Sequence, residues 1–371
     1  MRSAPRACER DHRAITSPHT APDIQARPPA RIRSYWSVGR ILRYLASLVL
    51  SVVAINIVLG KRDELSGATS YLENLRWYWV VVAAAVEALS IVAFAAMQRR
   101  LLRAGHVSIP MTTLTGITFA GNAIQNSLPA GPLFSAVFAY RQFHRRGADD
   151  ILAGWTLVGT AALSQISIVI LAMIGLAGAS GTGSAFDLVG VLVGLLAIAA
   201  VLILIWNRRS WILGHTVGPL RLVQRLFHRP EGDPHQLVAD VICRTNAIDP
   251  TKSDWVMLWA MAMANWLLDV CCLIAAFFAV GAGVPWRALL LAYAASQLAA
   301  SLPITPGGLG VVEGSLIIGL VAYGGGQEAT VAAVLLYRLL SFWALLPIGY
   351  VSWALVDWEL RRRDNRAGDL A

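Results

Sequence analysis

Charge is scarce in this chain. Asp, Glu, Lys and Arg supply 14% of its 371 residues, against about 25% in soluble globular domains. Hydrophobic residues reach 56%, so the polar surface is too small to cover soluble domains. Cysteine is scarce as well. Cys8, Cys243, Cys271 and Cys272 are the only four, and none has zinc-ligand spacing; they read as small apolar fillers. The seven histidines form no His-x-x-His or His-Glu-x-x-His pair. There is no Gly-x-Ser-x-Gly nucleophile elbow and no Gly-x-x-x-x-Gly-Lys-Ser/Thr phosphate loop. These absences exclude an ordinary soluble enzyme, a disordered chain and a disulfide-rich secreted domain. They also argue against a bound metal, a cofactor and direct use of ATP.

What the chain has is apolar length. Segments near 38–59, 77–98, 111–140, 151–178, 186–206, 255–282, 288–323 and 330–356 are predominantly apolar. About 20 apolar residues span a bilayer as a helix. Six of the eight are plain spans. The other two, 111–140 and 288–323, are too long for one span and too short for two with a loop. The fold class is an all-α polytopic membrane protein, with six full transmembrane helices and two irregular segments.

The formal net charge of +9 suggests nucleic acid at first sight. Its distribution argues otherwise. All but five of the 31 basic residues fall in five stretches: the arm through Arg43, Arg99–Arg103, Arg141–Arg146, the loop 207–254 and the tail after 357. Lys and Arg concentrate on the cytoplasmic side of membrane proteins. The basic excess is therefore a topology signal with both termini cytoplasmic. Anionic lipid head groups at that face are expected partners, and nucleic acid is not. Residues 1–34 read as a disordered basic cytoplasmic arm and 357–371 as a cytoplasmic tail, flanking a membrane domain at 35–356. In the loop 207–254, Leu220, Val223, Leu226 and Phe227 share a face beside Arg221 and Arg225, the pattern of an interfacial helix. Leu237, Val238, Val241 and Ile242 mark a second, after Pro234. A cytoplasmic docking partner is the alternative use of this loop.

The sign rule bears on the long segments. Arg99–Arg103 precedes 111–140 and Arg141–Arg146 follows it, so both flanks are cytoplasmic and the segment must enter and return. Its centre reads Asn126-Ser127-Leu128-Pro129-Ala130-Gly131-Pro132, which interrupts a helix. Two arms of about 14 residues each reach roughly 20 Å, the depth of a re-entrant hairpin. The centre of 288–323 reads Ser301-Leu302-Pro303-Ile304-Thr305-Pro306-Gly307-Gly308-Leu309-Gly310, and its flanks are poor in charge. This hairpin is expected to enter from the outer side. Ser127-Leu128-Pro129 and Ser301-Leu302-Pro303 are 174 residues apart. Each half then reads span, span, hairpin, span, over 38–178 and 186–356. The two halves face opposite ways, an inverted-topology repeat. In secondary transporters, breaks at matching positions mark a substrate site near the midplane.

At these residues the chain resembles a known family. The run Leu302-Pro303-Ile304-Thr305-Pro306-Gly307-Gly308-Leu309-Gly310-Val311-Val312-Glu313-Gly314 is similar to the signature of the lysylphosphatidylglycerol synthase transmembrane-region family, the flippase-like domain of the multiple peptide resistance factor type. Leu335-Leu336-Tyr337-Arg338-Leu339-Leu340-Ser341-Phe342-Trp343 is similar to its second motif. The resemblance covers most of 38–356. It implies a bacterial inner-membrane protein that moves lipids between leaflets. It does not imply the aminoacyl-transferase activity, because the domain that carries it has no counterpart among the 13 residues after Trp358. The first half also departs from the family. The mate of Arg338 at the 174-residue offset is Ser164, and no acid follows Pro129 before Ser135.

Four ionisable residues lie inside apolar segments: Glu87, Asp269, Glu313 and Arg338. Charge at the bilayer centre is costly, so such residues turn to the protein interior and take partners. Arg338 and Glu313 are placed to meet. Either Arg338 binds a lipid phosphate with its planar fork, or the two form a permanent ion pair fixing the hairpin. Glu87 and Asp269 are either proton-relay groups or buried, hydrogen-bonded carboxyls. At the two tips, half-helices are expected to begin near Gly131 and Gly307, with N–H groups that attract anions. The expected substrate-binding set is Asn126, Ser127, Pro129, Gly131, Thr305, Pro306, Gly307, Gly308, Gly310, Glu313 and Arg338. The substrate is a membrane phospholipid or a lipid-linked molecule with a phosphate head. Assembly as a homo-oligomer is compatible with the sequence. The leading reading is a flippase, with no catalytic residues. An integral membrane enzyme on a polyprenyl- or phospholipid-linked substrate and a non-transporting accessory subunit are the alternatives.

Overall fold

The structure, a computed structural model, describes residues 74–128, 130–179, 251–301 and 306–368. The arm 1–34, the apolar segments 38–59 and 186–206, all but the last residues of the loop 207–254, Pro129 and Thr305 lie outside the described residues.

Every regular element among the described residues is helical. The long helix α1 runs Trp77–Ala104. The short pair α2 (Met111–Ser127) and α3 (Gly131–His144) follows, and then the long α4 (Asp150–Ala179). The order repeats. A long α5 (Lys252–Ala279) precedes the short α6 (Trp286–Ala300) and α7 (Val311–Ala322). Last come α8 (Gln327–Arg338) and α9 (Leu345–Gly368), joined through a wide turn at Leu339–Trp343. Three helices, α1, α4 and α5, and the run Gln327–Arg362 are long and apolar enough to cross a membrane.

Local chemistry explains several of these boundaries. Helix α5 starts at a reciprocal cap: the Asp254 N–H donates to Thr251 Oγ1 (3.2 Å) and the Thr251 N–H donates to Asp254 Oδ2 (3.0 Å). Arg100 near the end of α1 donates to the same Asp254 (2.8 Å), tying the end of α1 to the start of α5. The wide turn at 339–343 closes with the Ala344 N–H on the Leu339 carbonyl (2.8 Å), and its last residue, Trp343, lies four before Pro347. Proline has no N–H to give the residue four before it and its ring crowds that carbonyl, so the helix widens there instead of ending.

The two interrupted segments break where the sequence changes character. Leu128 is extended and Ala130 is left-handed (φ 53°) before α3 starts with Gly131-Pro132. In the second, Gly307, Gly308 and Gly310 all have positive φ (58°, 69° and 80°). Regular helix therefore starts at Val311 rather than near Gly307, because three left-handed residues cannot continue a right-handed helix. A short 3₁₀ turn, Pro306–Gly308, fills the interval.

The ends of the interrupted segments gather in an ordered way. Thr113, at the start of the first, donates to Glu359 Oε2 (3.4 Å), and Arg146, just past its end, reaches the same carboxylate at 3.9 Å. Leu102, Ile109, Phe143, Leu152 and Val356 share one apolar cluster at that end. The start and end of the second segment, Leu289 and Leu320, belong to a different cluster with Trp79 and Val280. Helix α1 lies along α5, α2 along α9, and α6 along α4. Small residues make the last two contacts close. A side chain at Gly349 of α9 would strike the Phe119 carbonyl of α2. One at Gly175 of α4 would strike the backbone of α6 at Leu291.

Candidate functional site

The two breaks converge. A Cβ on Gly307 would lie 3.2 Å from the Asn126 Cα, so the two tips are in contact. Beside them is a cavity of about 570 Å3. Its walls come from both breaks and from α1, α4, α5, α6 and α8. The lining is rich in uncharged polar groups: the amides of Asn122, Gln125, Asn126, Gln165, Asn265 and Gln297, and the hydroxyls of Ser90, Ser135, Thr160, Ser164, Ser301 and Ser341. Its ionisable lining residues are Glu87, Asp269, Tyr337 and Arg338.

At the second break, Arg338 is a clamp. Its Nε donates to Glu313 Oε1 at 2.6 Å and its Nη2 donates to the Gly307 carbonyl at 3.2 Å. The guanidinium also lies over the Phe342 ring, 4.6 Å from the centroid, a cation–π contact. Glu313 is held from its other oxygen by the Gly310 N–H (2.7 Å). The side chains of Arg338 and Glu313 are 8% and 17% exposed, so the pair is largely desolvated. One ion pair thus fixes the glycine turn and the first turn of α7 together. The acceptor at the start of α7 is a carboxylate of the chain itself.

The first break is built without charge. The Ser127 hydroxyl donates to the Ala123 carbonyl (2.6 Å) and accepts from the Tyr350 hydroxyl of α9 (2.8 Å). Its one hydrogen is therefore spent inside the hairpin. Gly131 is buried, and a Cβ there would collide with the Gln125 carbonyl; only glycine lets the chain fold back so tightly.

The third feature is a carboxyl network. Asp269 Oδ2 accepts from the Tyr293 hydroxyl (2.5 Å), the Tyr337 hydroxyl (3.1 Å) and Gln297 Nε2 (3.4 Å). Gln297 also donates to the Tyr337 oxygen (3.2 Å). Glu87 lies within interaction distance of Asp269 and of Cys272. It is only 6% exposed. Glu87 Oε2 and Asp269 Oδ1 are buried without a hydrogen-bond partner.

The structure brings Asn126, Gly131, Gly307, Arg338, Glu87 and Asp269 to the cavity wall. Ser127, Gly308, Gly310 and Glu313 stand behind it as the framework of the two breaks. Pro306 forms the turn backbone, and Pro129 and Thr305 lie outside the described residues. Sequence reasoning missed Tyr293, Gln297 and Tyr337, and it did not bring Glu87 and Asp269 together. A signal was available. The two are lone acids in the apolar stretches of α1 and α5; Glu87 lies ten residues after the start of α1 and Asp269 ten before the end of α5, so antiparallel packing sets them side by side.

Comparison with known proteins gives the family. A UPF0104 membrane protein from Methanothermobacter thermautotrophicus is 36% identical over 99 residues, 26% of this chain and 28% of that protein. A second stretch similar to a UPF0104 membrane protein of the same organism is 29% identical over 84 residues, 23% of this chain and 25% of that protein. The matched stretches span about a quarter of the length of these curated relatives. The profile of the family described as lysylphosphatidylglycerol synthase TM region matches residues 42–349, well over half of the chain and including both breaks and the Arg338 motif. This multi-pass membrane protein therefore belongs to the lysylphosphatidylglycerol synthase TM region family.

Proposed function

We propose that this protein is a transporter of the flippase type, which moves a phosphate-headed lipid or lipid-linked molecule between the leaflets of the bacterial cytoplasmic membrane. One observation carries the reading: two interrupted segments, one in each half, meet at a single polar cavity. Irregular backbone at membrane depth is tolerated only inside protein or against a wet cavity, and paired breaks of this kind hold substrate in secondary transporters.

Three further observations support the topology this requires. Thr113 and Arg146 bracket the first segment and both reach Glu359, as a hairpin that returns to its side of entry demands. The second segment has both ends in the other cluster, with Trp79 and Val280, which fits entry from the opposite face. The close contacts are also reciprocal: α2 on α9 at Gly349, α6 on α4 at Gly175. These two glycines are 174 residues apart, the offset of the Ser-Leu-Pro pair, which favours an inverted repeat. The Arg100 and Arg146 end is the cytoplasmic one by the sign rule, with both termini on that side and anionic head groups beside it.

In this reading Arg338 serves both roles considered for it. At rest it is paired with Glu313. A lipid phosphate entering the cavity competes with Glu313 for the guanidinium fork, whose planar donors suit phosphate oxygens. Asn126 lines the path beside it. Losing Arg338 frees the Gly307 carbonyl, so binding loosens the second break. The test is reconstitution in liposomes with fluorescent phospholipids of several head groups, followed by dithionite quenching of the outer leaflet. The expected result is loss of the protected fraction faster than in protein-free vesicles, abolished by Arg338→Ala or Gly307→Leu in protein that still elutes as a folded species. Folded protein that accelerates no lipid would overturn the reading.

A further inference from the structure

Two acids meet in the heart of this molecule with no basic residue between them. Glu87 comes from α1 and Asp269 from α5, helices that lie along each other. Asp269 Oδ2 takes donors from Tyr293, Tyr337 and Gln297, while its Oδ1 and Glu87 Oε2 are both buried and lack one. A carboxylate can only accept hydrogen bonds; a carboxylic acid can also donate one. Two carboxyls in a desolvated site are compatible only if a cation or a proton lies between them.

We propose that Glu87 and Asp269 share one exchangeable proton, and that this proton is the coupling ion of transport. The inference rests on the transporter reading above and names its energy source. The surroundings favour a proton over a metal ion. The groups facing the pair are Cys272 on α5, Tyr293 on α6, and Tyr337 and Arg338 on α8, with Glu313 of α7 behind Arg338. Helix α4 lines the cavity here with Ser164 and Gln165, and its only titratable side chain is Asp150 at its start. Among the described residues no cluster of three or more His, Cys, Asp or Glu side chains is placed to hold a metal. Both carboxyls line the cavity, so water entering it can deliver a proton to the pair and receive it back.

The pair is also wired to the moving part. Asp269 holds the Tyr337 hydroxyl, and the next residue, Arg338, holds the Gly307 carbonyl and Glu313. With the proton in place the two carboxyls are compatible and Arg338 stays on Glu313. When the proton leaves to water, two negative charges face each other and Arg338 is the cation at hand to compensate them. Its departure from Gly307 and Glu313 unlocks the second break. One proton bound from one side and released to the other then accompanies one opening of the site.

The experiment uses the full chain in proteoliposomes holding a fluorescent phospholipid, with the membrane potential clamped at zero by potassium and valinomycin. A one-unit pH gradient should bias the final leaflet distribution by up to about tenfold, the ratio one unit of proton chemical potential supports. A sodium gradient should not bias it. Glu87→Gln and Asp269→Asn should each remove the bias. Movement of lipid that ignores the pH gradient, or follows sodium instead, overturns the coupling and leaves the transporter reading intact. Infrared spectroscopy supplies a readout independent of transport: the wild-type protein should show a protonated-carboxyl band at neutral pH that each single variant abolishes. A spectrum without that band, or one that neither variant changes, overturns the shared proton even if lipid moves. If no lipid moves at all, the transporter reading and the coupling fall together, and the band alone decides whether the pair holds a proton.

Discussion

The two breaks occupy matching places in the chain and are built by opposite chemistry. The first is uncharged: one hydroxyl relay from Tyr350 through Ser127 to Ala123, and one glycine wedged on a carbonyl. The second is charged: three left-handed glycines held by the Glu313–Arg338 pair and its bond to Gly307. A hydroxyl relay contributes locally and its loss is absorbed locally. A desolvated ion pair answers to any other charge that enters the cavity. The comparison teaches that two chain breaks at matching places can be held by different means; in the proposed cycle the uncharged one is the anchor and the charged one the responsive element.

The largest effect should come from cutting the ion pair. Arg338→Ala leaves Glu313 charged and largely buried, a change that costs about 3–5 kcal/mol when a buried pair loses one member. The expected outcome is a steep drop in apparent Tm in detergent together with loss of lipid movement. Arg338→Met combined with Glu313→Leu should be more stable than Arg338→Ala alone, because no uncompensated charge remains, yet equally inactive. A double variant that transports would remove the functional half of the comparison. Charge removal at the first break has no counterpart, since the residue 174 positions before Arg338 is Ser164.

Glycine replacements come next and separate a backbone obstacle from a side-chain one. In Gly131→Ala the new methyl meets the Gln125 carbonyl, which no neighbouring substitution can move. In Gly307→Ala it meets the Phe342 ring in a backbone with φ of 58°. Overpacking costs about 1–3 kcal/mol, and left-handed backbone adds about 1–2 kcal/mol for a residue with a Cβ. Both variants should lose stability. Phe342→Ala should recover part of the loss in Gly307→Ala and none of it in Gly131→Ala, by thermal melts of the two double variants. Gly310→Ala has open space around the new methyl and only its backbone (φ 80°, ψ −35°) against it, so its loss comes from the backbone alone and Phe342→Ala should recover none of it.

Much of the plan was legible in the sequence because it is written in features that tertiary context cannot override. Apolar length gives the long helices, Pro and Gly give the breaks, and a lone Arg beside a lone Glu in apolar surroundings gives the pair. The wide turn at 339–343 was not among them, since 330–356 reads as one plain span. The wall of the cavity was not legible. Its amides and hydroxyls are scattered over seven elements and carry no spacing pattern. Ser127 shows the limit most clearly: as a residue type it is a donor beside a break, but its hydrogen is committed to a carbonyl four residues back. Which way a hydroxyl points is decided by what packs against it, here Tyr350, 223 residues away. The start of the second half-helix moved from Gly307 to Val311 for a related reason, since glycine permits left-handed backbone and does not announce which glycines will use it.

The smallest effect tests whether the first break is only an anchor. Tyr350→Phe removes one hydroxyl and leaves the ring in place. Ser127 then keeps its donation to Ala123 and loses an incoming bond. A neutral hydrogen bond of this kind contributes about 0.5–1.5 kcal/mol net, so the apparent Tm should fall slightly. Ser127→Ala should cost a similar amount, and the two together should cost less than their sum, because each destroys the same bond. Transport by Tyr350→Phe should stay within about twofold of wild type, a barrier change well under the 1.36 kcal/mol that a tenfold effect needs. If Tyr350→Phe instead abolishes transport while its melting curve barely moves, the hydroxyl relay is part of the moving machinery. The division into anchor and responsive element then fails, and both breaks must act in the cycle.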